Sequence, residues 1–322
     1  MRVFVAGGSG AIGRRLVPQL LAAGHEVTAT ARTAGGAERI RAQGAEALRL
    51  DLLDAKAVRR AVAGAGPDAI VHEATALAGM SDLRRFDRTF AATNRLRTEG
   101  TANLLAAAAE LGVARFVAQS YAGWPYARVG GPVKAEGDPL DPDPPRAMRE
   151  TLAAIRRLEA AVSAADGIVL RYGTFYGDPW DPQAEAVRKR RVPLVGDGSG
   201  VWSFVHLDDA AAATVLALER ADPGIYNVVD DEPAPVSEWL PALAAALGAP
   251  PPRRVPVWLA RLAGGEAVVS MMTRSRGASN AKARSELGWE LVYPSWRDGF
   301  RATYGAGRRA GAAQLSAAGR RR

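Results

Sequence analysis

Short β-branched runs alternate with amphipathic stretches along the first 122 residues. RVFVAGG (2–8) reads as a strand entering a glycine turn, and RRLVPQLLAAG (14–24) as a helix with one apolar face. HEVTATAR, GAERIRAQG, AEALRLDLLD, AKAVRRAVAG and DAIVHEA then give strand, helix, strand, helix, strand. NRLRTEGTANLLAAAAELG (94–112) predicts a long helix, and ARFVAQS (114–120) a further strand. This alternation predicts an α/β fold with a doubly wound parallel sheet of the Rossmann type. After the Pro- and Gly-rich break at 130–148 come the helix RETLAAIRRLEAAVSAA, the strand GIVLRYG, the segment WSFVHLDD, the helix AAAATVLALERA, the strand GIYNVVDD and the helix VSEWLPALAAALG. The expected organisation is a dinucleotide-binding domain over 1–172 that also takes later strands from about 201–230. Residues 173–306 would be mainly a smaller C-terminal substrate-binding part, followed by a basic, disordered tail over 307–322.

The turn after the first strand reads Gly7, Gly8, Ser9, Gly10, Ala11, Ile12, Gly13 and leads directly into a helix. Glycines there permit a tight turn and a close backbone approach to a pyrophosphate, which the unpaired N–H groups of the helix start would hold. Gly8, Gly10 and Gly13 satisfy G-x-G-x-x-G, and Gly7, Gly10 and Gly13 satisfy G-x-x-G-x-x-G; both registers fit the letters. Dinucleotide sites commonly end their second strand in an acid that holds the adenosine ribose, but here Arg32 and Thr33 stand in its place. Arg32 can pair with a 2′-phosphate that an acid would repel, so NADP (as NADPH) is expected over NAD. Asp51 and Leu52, at the end of the third strand, are expected beside the adenine; Asp54 is the better helix cap.

Composition changes this picture little. The net charge is +8, but five of the excess arginines lie in GRRAGAAQLSAAGRRR (307–322), which holds no acid, so only three positive charges remain over the rest. That argues against nucleic acid as a partner. The chain has no Cys, which excludes a thiolate nucleophile and cysteine-ligated metal; no metal site is expected. No apolar run is long enough to span a bilayer and the first residues form no signal peptide, so the expected location is cytoplasmic, with no membrane partner. The expected partner is a small-molecule substrate, and a homodimer is the assembly to test for.

FVAGGSGAIG, LRLDLLD, VHEAT, TNRLRTEGTANLL, RFVAQS, LRYGTFYG and FVHLDDAA, in that order, resemble the extended short-chain dehydrogenase/reductase superfamily, specifically its NAD-dependent epimerase/dehydratase branch. The resemblance runs from residue 1 to about 300. It implies a sheet that binds NAD(P) and a substrate cleft against a smaller C-terminal domain. It also implies a Ser at the end of the fifth strand, acting with a Tyr-x-x-x-Lys pair on the next helix. Ser120 matches that Ser and would hold the substrate oxygen, and Asn94 matches a supporting Asn. His72 and Ala74 fall on a loop that covers the cofactor, and Tyr172 also falls on the cofactor side. The pair itself is missing. One register places Thr151 and Ile155 at its positions, another Pro145 and Arg149, and no Tyr in the chain has a Lys four residues on. Tyr121 is therefore the first candidate acid, followed by Tyr126, with Tyr172, Tyr176 and His206 as further ones.

Nucleotide-sugar members of the branch carry an Arg before the FVHLDD strand, where this chain has Val201 and Trp202. VRKRR (187–191) could contact phosphates or be a solvated helix end. Trp124, Trp180, Trp202, Met271 and Met272 would suit an apolar or aromatic ligand if they converge. The expected activity is an NADPH-linked reductase or dehydrogenase of a small apolar carbonyl or alcohol. A nucleotide-sugar epimerase or dehydratase holding NAD tightly, or a catalytically inactive cofactor sensor, are the alternatives.

Overall fold

The computed structural model describes residues 1–77, 83–178 and 181–305; Trp180 and the tail over 307–322 lie outside the described residues. The strands that position the site are β1 (Arg2–Ala6), β2 (Glu26–Ala31), β3 (Glu46–Arg49), β4 (Ala69–His72), β5 (Arg115–Tyr121), β6 (Ile168–Tyr172), β7 (Thr174–Tyr176), β8 (Phe204–His206) and β9 (Gly224–Val228). Seven of them form the central sheet in the order β9-β6-β5-β4-β1-β2-β3, every neighbouring pair parallel. Such a sheet must be covered on both faces, which is why its strands read as continuous apolar runs. Helices α1 (Gly13–Ala22), α2 (Ala34–Ala42), α3 (Ala55–Ala65), α4 (Phe86–Arg95), α5 (Thr101–Leu111), α6 (Arg149–Ala164), α7 (Pro182–Arg188) and α8 (Leu207–Arg220) follow in chain order. One face carries α1, α2 and α8 over Val5, Val71, Val117 and Leu170; the other carries α3, α5 and α6 over Phe4, Ile70, Phe116 and Ala118.

Two expectations need correction. Of the later strands, only β9 joins the central sheet; β8 pairs with β7 in a separate parallel ribbon. Gly173 stands at the crossing: its N–H still bonds Val228 O of β9 at 3.1 Å, and a Cβ there would stand 2.8 Å from Ser203 O, so the segment before β8 passes where a side chain would lie. The long helix also begins earlier, at Phe86, and passes through a π-helical turn at Leu96–Gly100 before α5.

Beyond α9 (Val236–Ala246), the Pro-rich C-terminal region forms α10 (Val257–Arg274), α11 (Ala281–Leu287) and α12 (Trp296–Tyr304). Trp239, Trp296, Phe204 and Phe300 pack edge-on and tilted between them as a second core. Asp209, buried at the start of α8, accepts the N–H groups of Val292 and Tyr293 at 2.8 and 2.9 Å and ties this part to the sheet. His206 caps α8 through Asp208 N and packs on Tyr176 and Tyr293, a structural use of that imidazole. No helix among the described residues is long and apolar enough to cross a membrane.

Candidate active site

The strand order reverses between β1 and β4, and ligands of open α/β sheets bind above the carboxyl ends at such a switch point. There the glycine turn is shaped by contacts that leave no room for side chains. Gly7 sits at φ +99°, and a Cβ on it would lie 2.7 Å from the Ala74 backbone; on Gly13 it would lie 2.5 Å from Gly7 O. Gly7 N donates to Thr30 Oγ1 at 3.1 Å and Gly10 N to Gly7 O at 3.0 Å, closing the turn. Ile12, the residue before α1, provides no side-chain cap, and the N–H groups of Gly8, Ser9, Ala11 and Ile12 find no acceptor among the described residues. A row of free donors at a helix start, in a cradle that a Cβ would fill, fits a dinucleotide pyrophosphate.

Thr33 caps α2 through Gly36 N at 3.1 Å, while Arg32 is exposed with no partner among the described residues. Asp54 caps α3 through Ala57 N. Asp51 is exposed and accepts Leu53 N at 3.0 Å, whereas the Leu52 side chain is buried in the core and its carbonyl accepts Asn103 Nδ2 at 2.8 Å. Ala74 abuts Gly7, which joins the end of β4 to the turn.

The aromatic loop divides between two environments. Side chains alternate along β5, and Phe116, Ala118 and Ser120 share the face that packs on α6. Ser120 Oγ accordingly donates to Glu159 Oε1 at 2.7 Å, in a pocket where both residues are buried. Arg171 grips the same carboxylate with Nε at 2.8 Å and Nη2 at 2.7 Å, and its Nη1 donates to Tyr126 OH at 3.1 Å. The Tyr126 hydroxyl in turn donates to Asn227 Oδ1. Ser120 and Tyr126 are thus parts of a buried ionic network, and both hydroxyls donate their protons within it. The Tyr172 side chain is also withdrawn: it is fully buried and bonded to Glu73 Oε1 and Thr214 Oγ1 at 3.0 and 2.7 Å.

Tyr121 remains on the cleft side. Its hydroxyl lies 3.0 Å from Thr174 Oγ1, and burial raises its pKa, which that hydrogen bond only partly offsets. Tyr121, Trp124, Trp202 and Met271 line one small cavity floored by Ser203 and Ser275. Phe86 stands edge-on to Trp124 at 5.4 Å and stacks on Phe90 at 4.3 Å, extending the aromatic wall. Met272 turns instead into the second core. The Tyr and Lys positions of α6 offer no acid: Thr151 is fully buried, donates to Asp87 Oδ1 at 2.7 Å and accepts from Asn94 Nδ2 at 3.1 Å, and Ile155 is buried. Asn94 Oδ1 is left without a partner. Arg188 and Lys189 share the Glu185 carboxylate, so this part of VRKRR is a helix end whose charge is partly offset within the helix. No cluster of three acidic or histidine side chains able to hold a metal occurs among the described residues.

Two buried ionisable groups are assigned no role by the sequence motifs. Arg97 occupies a stripe formed by Thr93, Leu96, Gly100, Thr101 and Leu104, where a charged residue interrupting the 3–4 spacing was a legible signal. Glu73 sits at the end of β4 with Oε2 unpartnered, and burial raises its pKa to about 8. A carboxyl raised from 4.5 holds a proton in the folded protein that the unfolded chain has lost, so stability falls as pH rises between those values, by up to about 1.4 kcal/mol per unit. Denaturation of the wild type at pH 5.5 and 7.5 should show this loss, and Glu73→Gln should flatten it; equal slopes would remove Glu73 as its source.

The sequence matches the model of the NAD dependent epimerase/dehydratase family over residues 3–228. It is 44% identical over 308 residues, 93% of this chain and 99% of the relative, to the 3-diazoavenalumate denitrifying reductase of a Streptomyces species. It is 31% identical to the 2-alkyl-3-oxoalkanoate reductase of Stenotrophomonas maltophilia, covering 78% of this chain and 77% of that one. The UDP-glucose 4-epimerase of Thermus thermophilus, solved with NAD, superposes with a TM-score of 0.72 at 28% identity, over 94% of this chain and 98% of that one. A nicotinamide dinucleotide is the cofactor that this fold, glycine turn and kinship share. The chain belongs to the NAD-dependent epimerase/dehydratase family and is an oxidoreductase of the extended short-chain dehydrogenase type.

Proposed function

We propose that the protein is an NADPH-linked reductase of a small aromatic substrate, and that the group it reduces is an aryl diazo group, lost as N2. The observation that carries this reading is the missing Tyr-Lys pair beside a small aromatic-lined cavity, in a chain 44% identical to a reductase named for removing nitrogen from a diazo compound. When bound, the cofactor supplies a hydride. Conversion of an aryl diazonium to the arene takes up one hydride, breaks the C–N bond, forms a C–H bond and releases N2, with no proton required from the protein. The chain's own work is then to open the small cavity at Trp124, Trp202 and Met271 around a flat ring and to exclude water. The absence of the Tyr-Lys pair from α6 fits that work.

Arg32 and Thr33 support NADPH over NADH. The Arg39 guanidinium adds to them, its Nη1 standing 3.8 Å from where a Gly35 Cβ would lie, back over the first turn of α2. Both arginines are free of ion pairs among the described residues and can receive a 2′-phosphate.

Tyr121 beside Thr174 favours a second reading, reduction of a carbonyl with Tyr121 giving the proton, for which the 31% identical oxoalkanoate reductase is the parallel. One experiment separates the two. Wild type and Tyr121→Phe are given NADPH with an aryl diazonium salt or with aryl ketones, following NADPH loss and, by mass spectrometry, 15N2 release. The diazo reading expects one N2 per NADPH and a Tyr121→Phe rate within about threefold of wild type. The carbonyl reading expects ketone turnover that Tyr121→Phe lowers about 10²- to 10⁴-fold. Consumption of NADPH by the ketones alone overturns the diazo reading.

A further inference from the structure

Arg97 is nine-tenths buried, yet no described residue accepts a hydrogen bond or forms an ion pair with it, and its Nη1 has no partner. It lies in the π-helical turn Leu96–Gly100, a geometry that recurs at functional sites. That turn and α4 pack on α6, at the stretch where Thr151 and Ile155 stand at the missing Tyr and Lys positions. Asn94, one turn earlier, bonds Thr151 with Nδ2 and leaves Oδ1 open. Two further neighbours fix the depth of the guanidinium. It acts on the imidazole of His72, at the end of β4, and is acted on by Glu159, level with the end of β5. Glu159 cannot neutralise it, because both carboxylate oxygens are already held by Arg171 and Ser120. Burial lowers the Arg97 pKa only to about 10, so the group stays charged at neutral pH. An unpaired buried cation is costly, and the expected reason to keep one is a ligand that pairs with it.

We propose that Arg97, reaching in from the π turn rather than from α6, is the cation that positions the nicotinamide ribose of the cofactor, doing from a different helix what the absent lysine would do. A guanidinium has several donors in a planar fork, which suits two vicinal hydroxyls better than a single ammonium would. The inference rests on the cofactor reading of the cleft and concerns binding, not the reduced group.

The test is binding without substrate. Wild type, Arg97→Met and Arg97→Lys are titrated with NADPH by fluorescence. In parallel they are titrated calorimetrically with 2′,5′-ADP, a fragment that ends before the nicotinamide ribose. Arg97→Met should bind NADPH at least tenfold more weakly and 2′,5′-ADP within twofold of wild type, and Arg97→Lys should recover NADPH binding to within threefold. The melting temperature of ligand-free Arg97→Met should be no lower than that of wild type, because an unpaired buried charge has been removed. Equal weakening of both ligands would make the residue structural and overturn the proposal, as would NADPH binding that Arg97→Met leaves unchanged. Should Arg97→Met not fold, the proposal is already overturned on stability. A wild type that binds neither ligand overturns the cofactor reading together with this inference.

Discussion

Glu159→Ala is expected to destabilise the folded protein by about 3–5 kcal/mol, because it strips the bidentate partner from a guanidinium that stays buried. At this chain length that is a fall in melting temperature of roughly 10 °C. The loss should propagate to Ser120, whose hydroxyl then has no acceptor, and through Arg171 to Tyr126 and Asn227. Removing both charges with apolar side chains of similar length, Glu159→Leu with Arg171→Met, should recover much of the stability, since the desolvation cost goes with the pair. Thermal denaturation of the two variants checks this. Ser120→Ala in the same assay should cost only about 1 kcal/mol and leave turnover near wild type, as expected of a hydroxyl that serves the ion pair. A large loss of turnover in folded Ser120→Ala would return Ser120 to the cleft.

Gly7→Ala is the second large effect. At φ +99° a side chain costs about 1–2 kcal/mol from the backbone conformation alone. Its Cβ would also meet the Ala74 backbone at 2.7 Å, which neither strand end can relieve without moving the turn. The turn carries the free N–H groups, so cofactor affinity should fall by more than tenfold even where the fold survives. Titration of the folded variant with NADPH measures this. By contrast Gly24→Ala, at a surface turn with nothing within 4 Å of the added Cβ, should leave affinity unchanged.

How much of this was legible in the letters differs from element to element. The strands β1 to β6, the helices between them apart from α4 and the π turn, and the glycine turn follow from local periodicity and from steric needs of a tight turn, both of which are written in neighbouring residues. The C-terminal helices α10 to α12 were hidden, because Pro- and Gly-rich connections and a kink at Gly265 break the periodicity that would reveal them. The aromatic wall joins Phe86, Tyr121, Trp124, Trp202 and Met271 across almost 200 residues of sequence, and no local pattern records such a meeting.

The fate of the hydroxyls shows the division most sharply. Sequence alone determined that a Ser and three aromatics stand at and just beyond the end of β5, that no Tyr-Lys pair exists on α6, and that the nucleotide turn is built for an anion. Only the tertiary structure decided which of them faces the cleft, because that depends on the one-residue alternation of β5 relative to α6. It gave Ser120 and Tyr126 to the Glu159–Arg171 pair, left Tyr121 to the cleft, and brought Arg97 in from another helix as a charge without a partner. Motif spacing measures distance along a chain, whereas a buried charge is paired or left unpaired by whatever the packing brings to it.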